Sequence, residues 1–286
     1  MEEHYFGGGW TEIKLDILRN YLEFYTKALS KQGFELLYID AFAGTGSRTE
    51  IVPSVPILGQ EEKKISLDGS ARIALNIEQQ FDRYLFIETN SKRIKELEKI
   101  RDEFHNTYIE IKNADANTVI TELASKPIWD CNKFRGVIFI DPYGMEVSWE
   151  TLKAIVSTES FDVWYLFPLS GVYRQAARDY TRVEEYKKEA LDKLFGTREW
   201  EDAFYKKITR RGFFETTENT VRKLKVKQIE EWVSNRLKTI FTHVSAPVAL
   251  PATGAQLYSL YFCISNPAPK AIGLATKAAN FILKAH

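Results

Sequence analysis

A doubly wound, mostly parallel α/β sheet is the fold class the sequence predicts, on three observations. Short apolar runs alternate with stretches whose apolar residues recur at helical spacing, the order that builds βαβ units. The first run, Leu36-Leu37-Tyr38-Ile39, ends in Asp40 and then in the glycine-punctuated turn Ala41-Phe42-Ala43-Gly44-Thr45-Gly46. Later runs also finish in an acid, at Glu88, Asp115 and Asp141. Right-handed crossovers put those ends on one edge of a sheet, the edge where open α/β sheets bind ligands.

Taken in order, Tyr5 to Trp10 is a flexible leader. Thr11 is placed as an N-cap. From Ile13 to Leu29 apolar residues recur at helical spacing, which predicts a helix over 12–32 that Gly33 ends. A strand over 34–40 follows. Residues 47–68 are polar and contain Pro53 and Pro56, the composition of a long loop beside the ligand turn. Asp68-Gly69-Ser70 then caps a helix over 71–80. A strand over 84–87 ends in Glu88-Thr89-Asn90 and leads to a charged helix over 91–106. The next strand, 108–111, precedes Asp115 and a helix over 118–125. Gly136-Val137-Ile138-Phe139-Ile140 is the cleanest buried strand. It ends in Asp141-Pro142-Tyr143-Gly144, with a helix over 148–157 after it and a fifth strand over 161–168.

Residues 172–240 read differently, as long charged helices with Trp200, Phe204, Tyr205, Phe213, Phe214 and Trp232 interspersed. They hold 17 Lys or Arg against 12 Asp or Glu, so a chain of zero net charge is locally basic there. Arg174, Arg178, Arg182, Lys206, Lys207, Arg210 and Arg211 offer a basic surface, with aromatics nearby to stack on bases; a solvated insertion with its own small core is the alternative. Strand pattern returns at 244–250 and 256–264, a hairpin completing the sheet with an antiparallel strand, and 271–285 is a small-residue helix. The organisation expected is a core over 1–171, a basic helical insertion over 172–240, and a return to the core over 241–286.

Composition narrows the class. With 286 residues and 44% apolar content, a full core is within reach and disorder is not expected. Cys131 and Cys263 lie far apart without histidine companions, so they form neither a metal motif nor a disulfide framework. No apolar run approaches membrane-spanning length, and Met1-Glu2-Glu3-His4 lacks a signal peptide's basic start. A soluble cytoplasmic protein without a metal is expected.

The acids suggest what the edge binds. An acid ending the second strand, Glu88, is placed for ribose hydroxyls, with Thr89 and Asn90 beside it. Asp115, next to Ala116, can accept an adenine amino group. Asp40 and the turn Phe42, Ala43, Gly44, Thr45 and Gly46 can hold a charged tail, because the glycines let the backbone approach with no Cβ in the way. Those parts describe S-adenosylmethionine (SAM). NAD is the rival, but Gly44-Thr45-Gly46-Ser47-Arg48-Thr49 lacks the third glycine and the immediate helix that a pyrophosphate needs. A P-loop is excluded, since no Gly-Lys-Ser/Thr follows. Some of the acids can instead be N-caps of the following helices.

Three stretches carry a family resemblance: Tyr38 to Gly46, Gly69-Ser70-Ala71-Arg72-Ile73-Ala74-Leu75, and Phe139 to Gly144. With Trp10-Thr11-Glu12-Ile13-Lys14-Leu15-Asp16-Ile17-Leu18, they resemble the three-Cys-motif partner protein (TcmP) family. The resemblance implies a Rossmann-like class I methyltransferase fold, in which the basic helical stretch then reads as an insertion before the last two strands. It also implies SAM as cofactor and a three-Cys-motif radical-SAM-like protein as partner. Asp141-Pro142-Tyr143 is the catalytic candidate. It departs from the Asp-Pro-Pro-aromatic motif of adenine and cytosine amino-methyltransferases, and is similar to the Asp-Pro-Tyr/Phe-Gly of tRNA guanine-N2 dimethyltransferases. In such motifs the acid and a proline carbonyl accept from the target amine, and the aromatic stacks on the base. An exocyclic amine of RNA or DNA is therefore the leading acceptor. A small molecule, a protein acceptor, or a non-catalytic SAM-binding role stay open.

Overall fold

The computed structural model describes residues 9–52, 63–126, 131–211 and 216–284. Phe213 and Phe214 lie outside the described residues, as do most of the glycine leader and the two prolines of the 47–68 stretch.

The first helix, α1 (Gly9–Leu29), starts before Thr11, which sits inside its first turn instead of capping it. Gly33 follows in the left-handed region at φ 76° and turns the chain into β1 (Glu35–Asp40). The stretch expected as a loop is a hairpin: β2 (Ser47–Val52) pairs antiparallel with β3 (Lys63–Asp68). The next helix, α2 (Ser70–Leu75), is shorter than expected and starts from Gly69 with no side-chain cap. Then come β4 (Arg83–Glu88), α3 (Ser91–Glu103), β5 (Tyr108–Asn113), α4 (Ala116–Ala124), β6 (Phe134–Ile140), α5 (Trp149–Ser157) and β7 (Phe161–Phe167). Side-chain caps set three of these helix starts: Asn90 on α3, Asp115 on α4 and Ser148 on α5.

The stretch read as helical carries α6 (Leu169–Gln175), α7 (Glu185–Phe195), α8 (Glu199–Phe204) and α9 (Val226–Leu237). It also carries a hairpin that helical periodicity did not reveal, β8 (Tyr205–Arg211) against β9 (Thr216–Arg222). The chain closes with β10 (His243–Val244), β11 (Val248–Leu250), β12 (Tyr258–Ile264) and α10 (Pro269–Leu283).

The main sheet runs β10-β12-β7-β6-β1-β4-β5, with β11 also on β12. The five strands from β5 to β7 are parallel, and β12 is antiparallel to β7. Period-2 alternation builds a core on each face. On β7, Phe161, Val163, Tyr165 and Phe167 face one core, with α4 to α9. Trp164 and Leu166 face the other, with α1, α2, α3 and α10. Trp200 and Phe204, fully buried, and Tyr205 belong to the first core, and Trp232 packs against it, so these aromatics of the insertion fill space instead of offering faces to bases.

Gly136 shows how tightly the central strands are set. A Cβ there would lie 2.7 Å from the Leu37 carbonyl oxygen and 2.5 Å from Phe161 Cε1. Backbone cannot give way as a flexible side chain can. Gly136→Ala should cost about 1–3 kcal/mol of unfolding free energy, read as a lower urea midpoint; an unchanged midpoint would show that the sheet yields.

Candidate functional site

Chain order creates the site. After β1 the chain builds outward through β4 and β5, then returns to add β6 on the other side of β1. The reversal leaves a crevice between the carboxyl ends of β1 and β6, the topological switch point where ligands bind in open α/β sheets. Asp40 ends β1 and Asp141 follows β6 directly, so one acid stands on each side of it.

The glycine turn is stitched into this edge. Ala41 donates its N–H to the Phe139 carbonyl at 2.9 Å, and Ala43 to the Ile87 carbonyl at 3.0 Å. Gly44 and Gly46 take φ of 62° and 66°, which L side chains rarely adopt. At Gly46 a Cβ would also lie 2.4 Å from Ile100 Cδ1, so α3 packs directly on the turn. Thr45 sits between the two, and Phe42 is half-buried beside Asp40.

Each acid is held differently. Asp40 is fully buried and accepts from the Phe42 N–H at 3.3 Å and the Ser70 hydroxyl. Burial, and behind it the nearby charge of Asp141, pushes its carboxyl up to about 7, against the pull of those hydrogen bonds and of Lys14. Glu88 is buried, and its Oε1 accepts the N–H groups of Thr89 and Asn90, each at 2.8 Å. Asp115 is exposed and caps α4, accepting the Thr118 N–H at 3.0 Å; Ala116 opens that helix, buried beneath it. The structure thus brings Asp40 and Asp141 into one electrostatic neighbourhood, puts Glu88 at the next strand end, and gives Asp115 a capping role one strand further out.

Asp141 is met by a residue that the periodicity did not single out. The ammonium of Lys14, on α1, ion-pairs with its Oδ2. Lys14 is only 5% exposed and lies over the rings of Trp10 and Phe139, at 5.4 and 6.0 Å from their centroids. A lysine between Ile13 and Leu15, one turn before Ile17 and Leu18, falls on the apolar stripe of a helix, and that placement was the available signal. Trp10 in turn stacks on Tyr258 at 5.1 Å. Pro142 is buried, whereas Tyr143 is 53% exposed and holds the Arg93 guanidinium over its ring at 4.5 Å. Among the described residues no group of three or more His, Cys, Asp or Glu is arranged to hold a metal, and no helix is long and apolar enough to cross a membrane.

No family model matches the chain, and no curated protein matches it. Among solved structures it is similar to protein LPL1258 from Legionella pneumophila str. Philadelphia 1, of DUF519. That match has 16% identity and a TM-score of 0.52, covering 96% of this chain and 92% of that one. Fainter likenesses join it to an S-adenosylmethionine-dependent methyltransferase from Clostridium acetobutylicum ATCC 824, at 10% identity, 86% and 91% coverage and a TM-score of 0.35. Another is the N-terminal domain of EvdMO1 with SAH bound, at 10% identity, 85% and 80% coverage and a TM-score of 0.39. The strand order, with its single reversed strand next to β7, is that of the Rossmann-like class I methyltransferase fold.

The buried carboxyl of Asp40 has a consequence for stability. Its folded-state pKa, about 7, stands above the ordinary 3.8. Between those values the folded chain binds a proton that the unfolded chain has released, so stability falls as pH rises through that window. Asp162, buried and pushed to about 7 chiefly by desolvation, acts in the same direction from the β7 strand. Asp40→Asn should flatten the fall by at most about 4 kcal/mol and leave the share of Asp162. Denaturant unfolding at pH 5 and pH 8 reads it; an equal slope in the variant would refute the assignment.

Proposed function

We propose that this chain is a SAM-dependent methyltransferase whose acceptor is an exocyclic amine of a nucleic-acid base. The observation that carries the reading is Asp141-Pro142-Tyr143-Gly144 seated at the end of β6, across the switch point from the Gly44–Gly46 turn of β1. The residues present suit the cofactor. Glu88 offers a buried carboxylate to the ribose, Asp40 and the turn backbone suit a cationic amino-acid tail, and the positive φ at Gly44 and Gly46 leaves the backbone open to close approach. SAM supplies an electrophilic methyl on a sulfonium. The chain supplies position: Asp141 and the Pro142 carbonyl accept from the acceptor's amine, so its lone pair is directed and the pair is held for in-line attack. Tyr143, half-exposed, offers a ring to the base.

The resemblance to the TcmP family adds a three-Cys-motif radical-SAM-like protein as partner. RNA or DNA would lie along the insertion, where Arg174, Arg178, Lys206 and Lys207 are exposed. A small-molecule or protein acceptor is the second reading. The burial of Trp200 and Phe204 favours it, because the insertion then brings charge to a nucleic acid but few stacking faces.

Incubation with methyl-labelled SAM and host tRNA, DNA or cell extract tests the proposal. Label in a nucleic-acid fraction supports the first reading, label in protein or small molecules the second, and no label anywhere removes catalysis. Glu88→Ala should weaken SAM binding by about 1.5–3 kcal/mol, the worth of hydrogen bonds to a charged group; an unchanged dissociation constant would take the ribose away from Glu88. Asp141→Ala should lower turnover far more than SAM affinity, whereas equal losses would make Asp141 a cofactor contact only.

A further inference from the structure

A second recess lies at the edge of the sheet opposite the crevice, where β6 and β7 begin. It is a cleft between α1 and α10 with about 430 Å³ of empty space, counting the part open to solvent, a size that suits a small molecule. Tyr21, Phe24 and Tyr25 of α1 line one side, and Ala271 and Leu274 of α10 the other. Leu274, 43% exposed, marks the mouth. Asp162, the second residue of β7, is the one acid on this lining and is 8% exposed. Tyr21 donates to its Oδ2 at 2.7 Å, and among the described residues no other hydrogen bond reaches the carboxyl. The polar neighbours are committed elsewhere. Ser160 Oγ donates to the Thr158 carbonyl at 2.9 Å, and Asn266 Nδ2 to the Glu159 carbonyl at 2.8 Å. The guanidinium of Arg135 lies over the Phe34 ring at 4.7 Å and donates to the Phe134 carbonyl at 3.2 Å. Its charge draws the Asp162 pKa down, but burial outweighs it and leaves the carboxyl at about 7.

We propose that this cleft is a second binding site, for an apolar primary amine whose ammonium donates to Asp162 and whose hydrocarbon body lies against the α1 rings and Leu274. A buried carboxylate short of donors is stabilised most by a donor that brings a charge. Aromatic rings beside the same acid add cation–π attraction. The remainder of the ligand replaces water on an apolar lining. A neutral alcohol supplies the hydrogen bond without the charge, and an anion meets the acid directly, so the amine is the ligand class that uses every part of the lining. The site shares no residue with the crevice at the carboxyl ends of the strands and stands apart from the methyltransferase reading.

NMR titration of the full chain with carbon-13 tyrosine tests this at pH 8, where the Asp162 carboxyl is mostly ionised. The probes are benzylamine and benzyl alcohol, which share a ring and differ in charge. In wild type, benzylamine should bind saturably and move the Tyr25 signal, assigned with Tyr25→Phe, and benzyl alcohol should bind at least about tenfold more weakly. Asp162→Asn keeps the shape of the side chain and removes its charge. It should weaken benzylamine at least about tenfold and leave benzyl alcohol within about threefold of wild type. Ala271→Phe fills the cleft from α10 and should abolish binding of both probes. Asp141→Asn, in the crevice, should leave benzylamine binding as it is. A wild-type Tyr25 signal that ignores benzylamine overturns the proposal, and that result needs no variant to fold. So does benzyl alcohol binding as tightly as the amine, benzylamine binding that survives Asp162→Asn or Ala271→Phe, or its loss in Asp141→Asn, which would put the amine in the crevice.

Discussion

Carboxylates gathered at the edge of one parallel sheet repel each other and resist burial, and the architecture around this edge is largely the answer to that problem. Three different answers are used. Asp40, the deepest, accepts one backbone N–H and the hydroxyls of Tyr38 and Ser70, and desolvation pushes its carboxyl up to about 7. Glu88 takes two backbone N–H groups and a guanidinium. Asp141 takes a lysine from a helix 127 residues earlier. Burying an ion costs several kcal/mol unless partners repay it. The first turns of α1, the start of α2 and the first turn of α3 are therefore fixed as much by charge as by apolar packing.

The first helix shows how sequence and topology combine here. Its apolar stripe, Ile17, Leu18, Tyr21, Leu22 and Tyr25, packs against the sheet face that carries Trp164 and Phe262. Because α1 precedes β1 and runs back along it, its N-terminal end reaches the ligand edge. A stripe residue at that end faces the crevice instead of the core. Lys14 occupies that position, and Trp10, one turn earlier, stacks on Tyr258 at the start of β12. Tyr258 lies within electrostatic reach of both Asp141 and Arg174. The β6 side of the crevice is thus walled by elements from both ends of the chain.

What was legible follows from range. The parallel strands and their terminal acids could be read because each buried strand is a short apolar run closed by a polar residue, a signal contained in a few residues. The caps at Asn90, Asp115 and Ser148 are equally local. The β2–β3 hairpin was not visible, because ten residues separate its strands and no tight-turn pair marks the reversal. The β8–β9 hairpin, Lys- and Arg-rich and lacking a long apolar face, looks like a solvated helix to any periodic reading. Pairings such as Lys14 with Asp141 or Arg93 with Tyr143 depend on which strands end side by side, and that is set by the return of the chain from β5 to β6. Asp115 shows the other side of the same point: an acid at the end of a strand also serves as the N-cap of the helix that follows, here α4.

The insertion is tied to the same geometry. Its first helix, α6, starts two residues after β7 ends, and the Ser170 N–H bonds the Leu257 carbonyl just before β12. Arg222, from β9, lies over the Tyr173 ring at 3.5 Å and donates to the Tyr173 carbonyl at 2.6 Å, clamping the hairpin to α6. Leu191, Phe195, Trp200, Phe204 and Ile229 then join the core beneath β6 and β7. An insertion rooted in this way cannot swing as a separate flap. Its buried aromatic residues hold that position, and the side where β7 ends shows Tyr173 and Arg174 on α6 and Arg178 just after it, all exposed. That side carries cations and one stacked tyrosine, a surface that suits a polyanion or an extended acidic ligand better than an apolar one.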